Sequence, residues 1–176
     1  MRGDDRSAID WQFDPEPTLS TAMLHPIELG LDTFGDVTVG ADGQVLHQAQ
    51  VLRHVVEEAV LADQVGLHFI GVGEHHRPDF SVSAPEVVLA AIAARTTHIR
   101  LGSAVTVLSS DDPVRVYQRF STVNAISGGR AEVILGRGSF TESYPLFGFD
   151  LRDSCRACGS CSPRREQRCR APHGRP

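Results

Sequence analysis

The amino-acid sequence predicts an α/β fold in which parallel strands alternate with helices. Between residues 27 and 135, short apolar runs of strand length alternate with longer stretches whose apolar residues recur at helical spacing. The connections between these runs are too long for hairpins, which predicts parallel strands joined by right-handed crossovers. The 176 residues are 41% hydrophobic and 22% charged, the composition of an ordinary globular protein. A doubly wound sheet and an eight-stranded barrel both satisfy this pattern.

The first strand, helix and second strand are predicted between residues 27 and 74. Residues 27–34 (IELGLDTF) form the first apolar run, and residues 46–65 have helical periodicity. Gly66 then predicts a left-handed helix end, and residues 67–74 (LHFIGVGE) predict the second strand. The buried stripe of this helix is expected to consist of Val51, Leu52, Val55, Val56, Ala59, Ala62 and Val65.

Two more helices and two more strands are predicted between residues 83 and 135. Ser83 and Glu86 have the spacing of a capping box, which predicts a helix that continues to Arg95. Residues 99–108 and 131–135 predict the third and fourth strands. Asp112 followed by a proline predicts the start of the helix between them, and Gly128 predicts its end. The apolar positions of that helix are Val116, Tyr117, Phe120 and Val123.

The two ends of the chain differ from residues 26–151. Residues 1–25 show no periodicity and predict a loose leader, and Met23 is an alternative start. Residues 152–176 hold seven arginines and four cysteines without any large hydrophobic residue, so this tail is expected to be disordered. The first three cysteines have metal-ligand spacing, as in a zinc or iron–sulfur site. The alternative is a frameshift in a GC-rich gene, because the chain contains no lysine and the tail has the composition of out-of-frame GC-rich DNA.

Charge and hydropathy exclude several classes of protein. Residues 1–151 carry 20 acidic residues against 10 arginines, a net charge of −10 that argues against a nucleic-acid partner. No apolar run approaches the ~18 residues of a membrane helix. Several acidic residues lie among the first 26 residues, where a signal peptide would be apolar. We therefore expect a soluble cytoplasmic protein.

Polar residues that could perform chemistry follow the second and fourth predicted strands. Ligands of parallel α/β folds collect at the carboxyl ends of the strands. Successive strand residues point to opposite faces, so His75 and His76 are not expected to share a metal ion, and one of them is predicted to act as an acid or base. The alternative is a histidine that only bonds to the backbone. Arg137, between two glycines, suits a phosphate or carboxylate, with an ion pair to Glu132 or Asp150 as the alternative.

Residues 27–151 resemble the bacterial luciferase-like monooxygenases, flavin or deazaflavin enzymes built on a TIM barrel. The resemblance rests on three blocks in the family's order and spacing: GEHHRPDF, HIRLGSAVTVLSSDDPVRVYQRFSTVNAISGGRAEVILGRGSF and SYPLFGFDL. It implies that the four predicted strands are the front half of a (β/α)8 barrel. Half a barrel leaves strand edges unpaired, so we expect the isolated chain to have low stability and no activity.

The resemblance also assigns roles to individual residues. His75 matches the histidine that lies near the flavin and supports its reaction with dioxygen, and His76 is its usual neighbour. Arg137 matches a residue that contacts the flavin phosphate, with Gly138 and Ser139 supplying adjacent backbone.

Three further positions concern the flavin ring. Ala104 and Val105 fall where the family often has a non-proline cis peptide bond beneath the isoalloxazine ring. The resemblance also makes Gly136 a cofactor-binding residue. It occupies the position of a reactive cysteine in the luciferases proper. The resemblance therefore implies flavin binding without light emission.

The implied reaction is insertion of one oxygen atom from dioxygen into a small organic substrate, with reduced FMN supplied by a flavin reductase. Members of the family often form dimers through helices near strands two and three, which implies a homodimer; core packing is the alternative explanation for the apolar stripe of the Ser83 helix. Three other interpretations remain open. These are a deazaflavin-dependent hydride-transfer enzyme, an inactive remnant that serves as an association partner, and a small metal-binding protein that uses the four tail cysteines.

Overall fold

The structure is a computed structural model that describes residues 27–151. The predicted leader and the cysteine-containing tail lie outside these residues. Within them, no helix is both long and apolar enough to cross a membrane. The strands are β1 (Gly30–Thr33), β2 (Phe69–Val72), β3 (Arg100–Ser103), β4 (Thr106–Val107), β5 (Ala131–Glu132) and β6 (Leu135–Gly136). The helices are α1 (Gln48–Gln64), α2 (Pro85–Ala93), α3 (Pro113–Ser127) and α4 (Ser143–Phe147).

The main sheet has four parallel strands in the order β1-β2-β3-β5. This order follows the chain, and a helix lies between each pair of neighbouring strands, as expected for consecutive β/α units of a barrel. Strands β4 and β6 form a second parallel pair that continues β3 and β5. The predicted α/β class and the parallel arrangement are confirmed.

Helix α3 begins and ends where the sequence predicts. The Oδ1 atom of Asp112 accepts hydrogen bonds from the backbone N–H groups of Val114 and Arg115 at 2.9 and 3.0 Å, and Pro113 occupies the first helical position. At the other end, Gly128 has φ +68°, in the left-handed region that glycine adopts at low cost. Gly66 adopts the same region after α1, as predicted, with φ +83°.

The predicted capping box of α2 is wrong. Ala84 is the residue that precedes the helix, no side chain caps it, and the helix ends at Ala93 rather than Arg95. The carboxylate of Glu86 is unavailable to the backbone because it pairs with Arg119 of α3, 2.7 Å from Nε. Pro85 at the first helical position is the correct part of the prediction.

Each of the last two predicted strands is divided in two. The third breaks at the Ala104–Val105 peptide, which is cis as the resemblance implies, and the fourth breaks after Glu132. Ser103 joins the two breaks, since its hydroxyl donates to the carbonyl of Ile134 and accepts from the N–H of Ile134, both at 3.1 Å. Ala104 and Val105 at the first break are partly buried, whereas Val133 and Ile134 at the second break are 42% and 43% exposed although both are apolar. The first two strands are also shorter than predicted.

The hydrophobic core lies between the helices and one face of the main sheet. Its fully buried members include Ala59, Ile70, Val72, Leu89, Ile92, Ile99 and Leu101. Two predicted core positions are wrong, because Val65 and Tyr117 are 66% and 73% exposed. On the opposite face of the sheet, large side chains lie over glycines. A Cβ on Gly73 would fall 2.2 Å from the Phe34 ring.

The guanidinium group of Arg130 fastens α2 to α3 and to the start of β3. Its Nε donates to the carbonyl of Ser127, and its terminal nitrogens donate to the carbonyls of Ala93, Thr96 and Ile99 and to the Thr96 hydroxyl, at 2.8 to 3.1 Å. Only the planar fork of arginine reaches this many acceptors at once. Arg130 thus satisfies carbonyl groups that the end of α2 would otherwise leave unpaired.

Candidate functional site

A cavity of about 350 Å³ opens at the carboxyl ends of the strands. This is the end of a parallel α/β structure where ligands bind, and the volume falls within the range of small-molecule pockets. Its walls come from five segments of the chain, which follow β1, β2, β3 and β6 or precede α2. The lining residues are Phe34, Asp36, Glu74, His75, His76, Phe80, Ala104, Val105, Gly138, Ser139, Phe140, Glu142 and Ser143.

His75 occupies the centre of an aromatic cluster and is 9% exposed. Its ring stacks on Phe80, with centroids 4.2 Å apart and an interplanar angle of 25°. Phe140 contacts it edge-on at 4.5 Å, and Phe34 packs at 4.9 Å. The backbone N–H of His75 donates to the carbonyl of Val82 at 2.9 Å. These contacts hold the imidazole in one orientation at the cavity wall.

The carboxylate of Glu142 is the hydrogen-bond partner of His75. Nδ1 of His75 lies 3.0 Å from Oε1 of Glu142, and the two side chains are 10% and 22% exposed. Partial burial raises the pKa of Glu142, but hydrogen bonds from His75, from its own backbone N–H and from the backbone N–H of His76 outweigh that effect and lower it. The ionised carboxylate can only accept, so Nδ1 carries the proton and Nε2 of a neutral His75 is left as an acceptor.

The structure brings together five of the seven predicted site residues. Ala104, Val105, Gly138 and Ser139 line the same cavity as His75. Gly136 and Arg137 are not among the lining residues. These two lie at the end of β6, directly before the wall that Gly138 and Ser139 form.

Gly136 and Arg137 nevertheless border the site. A Cβ on Gly136 would lie 2.6 Å from Cγ2 of Val105, so any larger residue there would collide with the Val105 side chain, which lines the cavity. Arg137 is exposed, and its carbonyl accepts a hydrogen bond from Ser109 at 2.7 Å. The alternative ion pair of Arg137 with Glu132 is not formed, because Glu132 pairs with Arg100 at 2.9 Å.

A second, polar cavity of about 240 Å³ lies on the other side of Glu74 and His76. Glu86, Asp111, Thr106 and Arg119 are among its lining residues, and Arg119 pairs with both carboxylates. Burial raises the pKa of Glu74 to about 7, with the charges of Asp111 and Glu86 adding to the effect.

Sequence reasoning missed Glu142 and the three phenylalanines around His75. Phe80 and Phe140 stand inside the motifs GEHHRPDF and GRGSF, but nothing in their spacing indicates contact with a histidine. Glu142 follows His75 by 67 residues, and only the fold brings the two together. Within residues 27–151, no three histidine, cysteine, aspartate or glutamate side chains are placed to hold a metal ion.

Comparison with known proteins gives a family match and curated relatives. The luciferase-like monooxygenase family matches residues 33–158. The N-acetyl-S-alkylcysteine monooxygenase of Bacillus subtilis is 37% identical over 90 residues, which cover 51% of this chain and 27% of that protein. The oxygenase component of the flavin-dependent trigonelline monooxygenase of Acinetobacter baylyi is 31% identical over 98 residues, which cover 55% of this chain and 27% of that protein.

Solved structures share the fold. Monooxygenase RslO1 from Streptomyces bottropensis superposes with a TM-score of 0.65 and 25% identity, over 74% of this chain and 39% of that one. An F420-dependent secondary alcohol dehydrogenase superposes with a TM-score of 0.54 and 19% identity, over 74% and 39%. The chain spans about a third of the length of the curated relatives that it matches. The described residues therefore correspond to part of a TIM-type barrel.

Proposed function

Because the chain belongs to the luciferase-like monooxygenase family, we propose that its apolar cavity takes the ring system of FMN and that the protein oxygenates a small organic molecule with dioxygen. The observation that carries this proposal is the His75–Glu142 pair, fixed among phenylalanine rings in the wall of a 350 Å³ cavity. An oriented imidazole in a pocket whose wall surface is mostly apolar suits a reaction that needs a positioned proton donor or acceptor and little water.

The walls of the cavity fit a flat aromatic ligand. Phe34, Phe80 and Phe140 supply apolar surface, while Ala104 and Val105 present a small side chain and a cis peptide rather than a bulky group. Gly138 lines the cavity with φ +76°, and a Cβ there would lie 3.0 Å from Cγ1 of Val107, so glycine suits both the backbone conformation and the close packing at this wall. FMN supplies the oxygen-activating chemistry when it is bound.

Arg137 is proposed to hold the phosphate group of FMN. It is exposed next to the cavity, and Glu132, one of its two expected acidic partners, pairs with Arg100 instead. Guanidinium and phosphate form charge-assisted, bidentate hydrogen bonds. Gly138 and Ser139 line the cavity next to Arg137, and we propose that their backbone N–H groups add further donors to the phosphate.

His75 and Glu142 would manage the proton of the reaction. The Glu142 carboxylate keeps the proton of His75 on Nδ1, so Nε2 is the atom that accepts or returns a proton inside the cavity. The surrounding phenylalanines exclude water from that nitrogen. His75 is thus the proposed catalytic residue and Glu142 the residue that positions it.

The proposal extends to partners. The trigonelline relative is named an oxygenase component, so we propose that a separate flavin reductase supplies reduced FMN here too. A homodimer through α2 and α3 and a cytoplasmic location are proposed with it. The organic substrate is expected to enter the same cavity as the flavin ring.

Flavin binding by the 176-residue chain tests the proposal, because binding depends on the cavity and not on the turnover that half a barrel is expected to lack. Titration should quench FMN fluorescence to saturation, and Arg137→Ala should weaken binding roughly 10-fold or more, as for a lost charge-assisted bond. Arg115→Ala is the matched control, because Arg115 is exposed on α3 and lines neither cavity. Absence of saturable quenching, or equal loss in both variants, would contradict the proposal.

A deazaflavin is the second candidate cofactor. The F420-dependent dehydrogenase shares only the fold, so it does not favour either cofactor. Competition between FMN and a deazaflavin for the same chain would separate oxygen insertion from hydride transfer. Dimerisation without uptake of either cofactor would favour the association partner instead.

A further inference from the structure

Glu74 and His76 form the partition between the two cavities. Both residues line the apolar cavity beside His75, and both line the polar cavity on the opposite side. Their side chains are 13% and 11% exposed, and the Oε1 atom of Glu74 lies 3.8 Å from Nε2 of His76. A carboxyl and an imidazole therefore sit side by side between a pocket lined with charged groups and a pocket lined with phenylalanines.

The polar cavity surrounds Glu74 with charge from every element that packs on it. Glu86 faces it from α2, Asp111 from the loop before α3, and Arg119 from α3, while the backbone N–H of Val107 in β4 donates to its carboxylate. Burial and the two carboxylates favour the neutral acid, whereas Arg119 and Val107 favour the carboxylate. The balance places the pKa of Glu74 at about 7, so both forms are populated at neutral pH.

The surroundings of His76 favour the neutral imidazole, which can accept a proton. Its Nε2 is buried and has no hydrogen-bond partner within the described residues. Burial lowers the pKa of His76, the charge of Glu142 opposes that change, and His75 reinforces it, with a net lowering. At neutral pH a neutral His76 therefore lies next to a Glu74 that is protonated in part of the molecules.

Thr106 provides an independent sign that the polar cavity holds something. It lines this cavity, is 2% exposed, and its hydroxyl has no hydrogen-bond partner within residues 27–151. Buried hydroxyl groups are normally paired, often with ordered water. A cavity of 240 Å³ with such a hydroxyl has room for several waters, which would connect Glu74 to solvent.

We propose that Glu74 and His76 carry protons from the polar cavity to the cavity that contains His75. The Oε1–H bond of Glu74 breaks as its proton forms a bond with the Nε2 lone pair of His76. The imidazolium then transfers its Nδ1 proton to a water or ligand oxygen in the cavity that contains His75 and becomes the neutral Nε2–H form. Glu74 is reprotonated through the polar cavity, and a shift of the His76 proton from Nε2 back to Nδ1, by exchange with water, restores the starting state. The 3.8 Å separation requires a small side-chain rotation or one bridging water. The use of these protons rests on the proposed function, whereas the transfer between the two residues does not.

Titration of the chain without any cofactor tests the coupling between Glu74 and His76 that the transfer requires. In NMR spectra of histidine side chains, the His76 ring signals should show an inflection near pH 7 that reports Glu74. Glu74→Gln should remove this inflection, Glu74→Asp should restore one at a shifted pH, and Glu58→Gln should leave it unchanged, since Glu58 is exposed on α1 and lines neither cavity. His76 signals that ignore the identity of residue 74 would overturn the proposal.

Replacing potassium by tetramethylammonium in the same titration tests the competing role of the polar cavity. If the cavity conducts protons, the inflection should stay at the same pH at constant ionic strength. An inflection that moves to lower pH in potassium would assign the cavity to a bound cation and overturn the proton pathway.

A kinetic measurement tests the use of the pathway. With reduced FMN bound, the rate of flavin reoxidation by dioxygen should follow the ionisation of Glu74, and Glu74→Gln should slow it on the order of 100-fold and flatten its pH profile. Glu74→Asp should recover part of the rate. A pH profile that Glu74→Gln leaves unchanged would overturn this use of the pathway, whereas failure to bind FMN at all would overturn the proposed function and leave the cofactor-free titration decisive.

Discussion

The Nδ1 atom of His75 lies 3.0 Å from the Oε1 atom of Glu142, although 67 residues separate them in the chain. Glu142 belongs to the segment that closes the cavity, and His75 follows β2. One hydrogen bond therefore fixes both the tautomer of the histidine and the position of the closing segment.

Removal of Glu142 should release the tautomer of His75. We expect Glu142→Ala to convert a pure Nδ1–H imidazole into a mixture of both tautomers, because the only described acceptor for Nδ1 is lost. The measurement is the pair of 15N shifts of the His75 ring, with Glu142→Gln as the conservative comparison. A ring that keeps one tautomer in Glu142→Ala would show that other contacts orient it.

The free energy of unfolding should depend on the ionisation of Glu74. Its pKa is about 7 in the native chain and 4.5 ordinarily, so between these values the unfolded chain loses the proton that the native chain keeps. Stability from this group is therefore lost as pH rises from 4.5 to 7 and is constant above that. The loss is about 3 kcal/mol.

Glu74→Gln isolates this contribution. In denaturant titrations, the free energy of unfolding of Glu74→Gln minus that of the native sequence should increase between pH 5 and pH 8. Glu58→Gln, on an exposed surface, should give parallel curves. Identical pH dependence for native protein and Glu74→Gln would mean that Glu74 titrates normally.

Arg130 should be sensitive even to lysine. Arg130→Lys keeps the charge but loses the planar fork that reaches the carbonyls of Ala93, Thr96 and Ile99. We expect the free energy of unfolding to fall by about 2–4 kcal/mol, because several buried carbonyl groups lose their donor. Arg115→Lys on the exposed face of α3 should change it by less than ~0.5 kcal/mol. Equal effects of the two substitutions would refute this account.

Gly73→Ala should displace Phe34 and so disturb the aromatic cluster around His75. The added Cβ would lie 2.2 Å from Cε1 of Phe34 and 2.7 Å from the carbonyl of Ala104. Displacement of Phe34, which packs on His75, should lower the free energy of unfolding by about 1–3 kcal/mol and weaken FMN binding. Gly73→Ala combined with Phe34→Leu should recover part of the stability, since the shorter side chain yields space. No recovery would place the clash at the Ala104 carbonyl alone.

The sequence predicts the elements whose signals are local. Asp112 and Gly128 mark the ends of α3 because capping depends on a few neighbouring residues. The same logic fails at Ser83, since Glu86 forms a tertiary ion pair with Arg119 that no local pattern contains. The breaks after Ser103 and Glu132 are also invisible to periodicity, because the residues at the breaks are apolar and the same two chain segments pair on both sides, β3 with β5 and β4 with β6.

The candidate site likewise has some features that the sequence predicts and others that depend on tertiary contacts. His75 is predictable because it follows a strand, and the cis peptide at Ala104 is implied by a family resemblance. Glu142 and the aromatic packing of His75 require the fold, because their partners are distant in sequence. The raised pKa of Glu74 likewise depends on charges from α2 and the loop before α3.

The walls of the apolar cavity extend to Ser143, whereas the main hydrophobic cluster draws its members from residues up to Ala131. During folding, this cluster can therefore form before the closing segment, which contains Glu142 and Ser143, docks on the cavity. That docking costs the entropy of closing a long loop. A folding intermediate whose helices have formed but whose closing segment has not docked would lack part of the cavity wall. If the chain binds FMN as proposed, the time at which FMN fluorescence begins to be quenched after dilution from denaturant measures when this segment docks. By linkage, the ligand would stabilise that segment more than it stabilises the core.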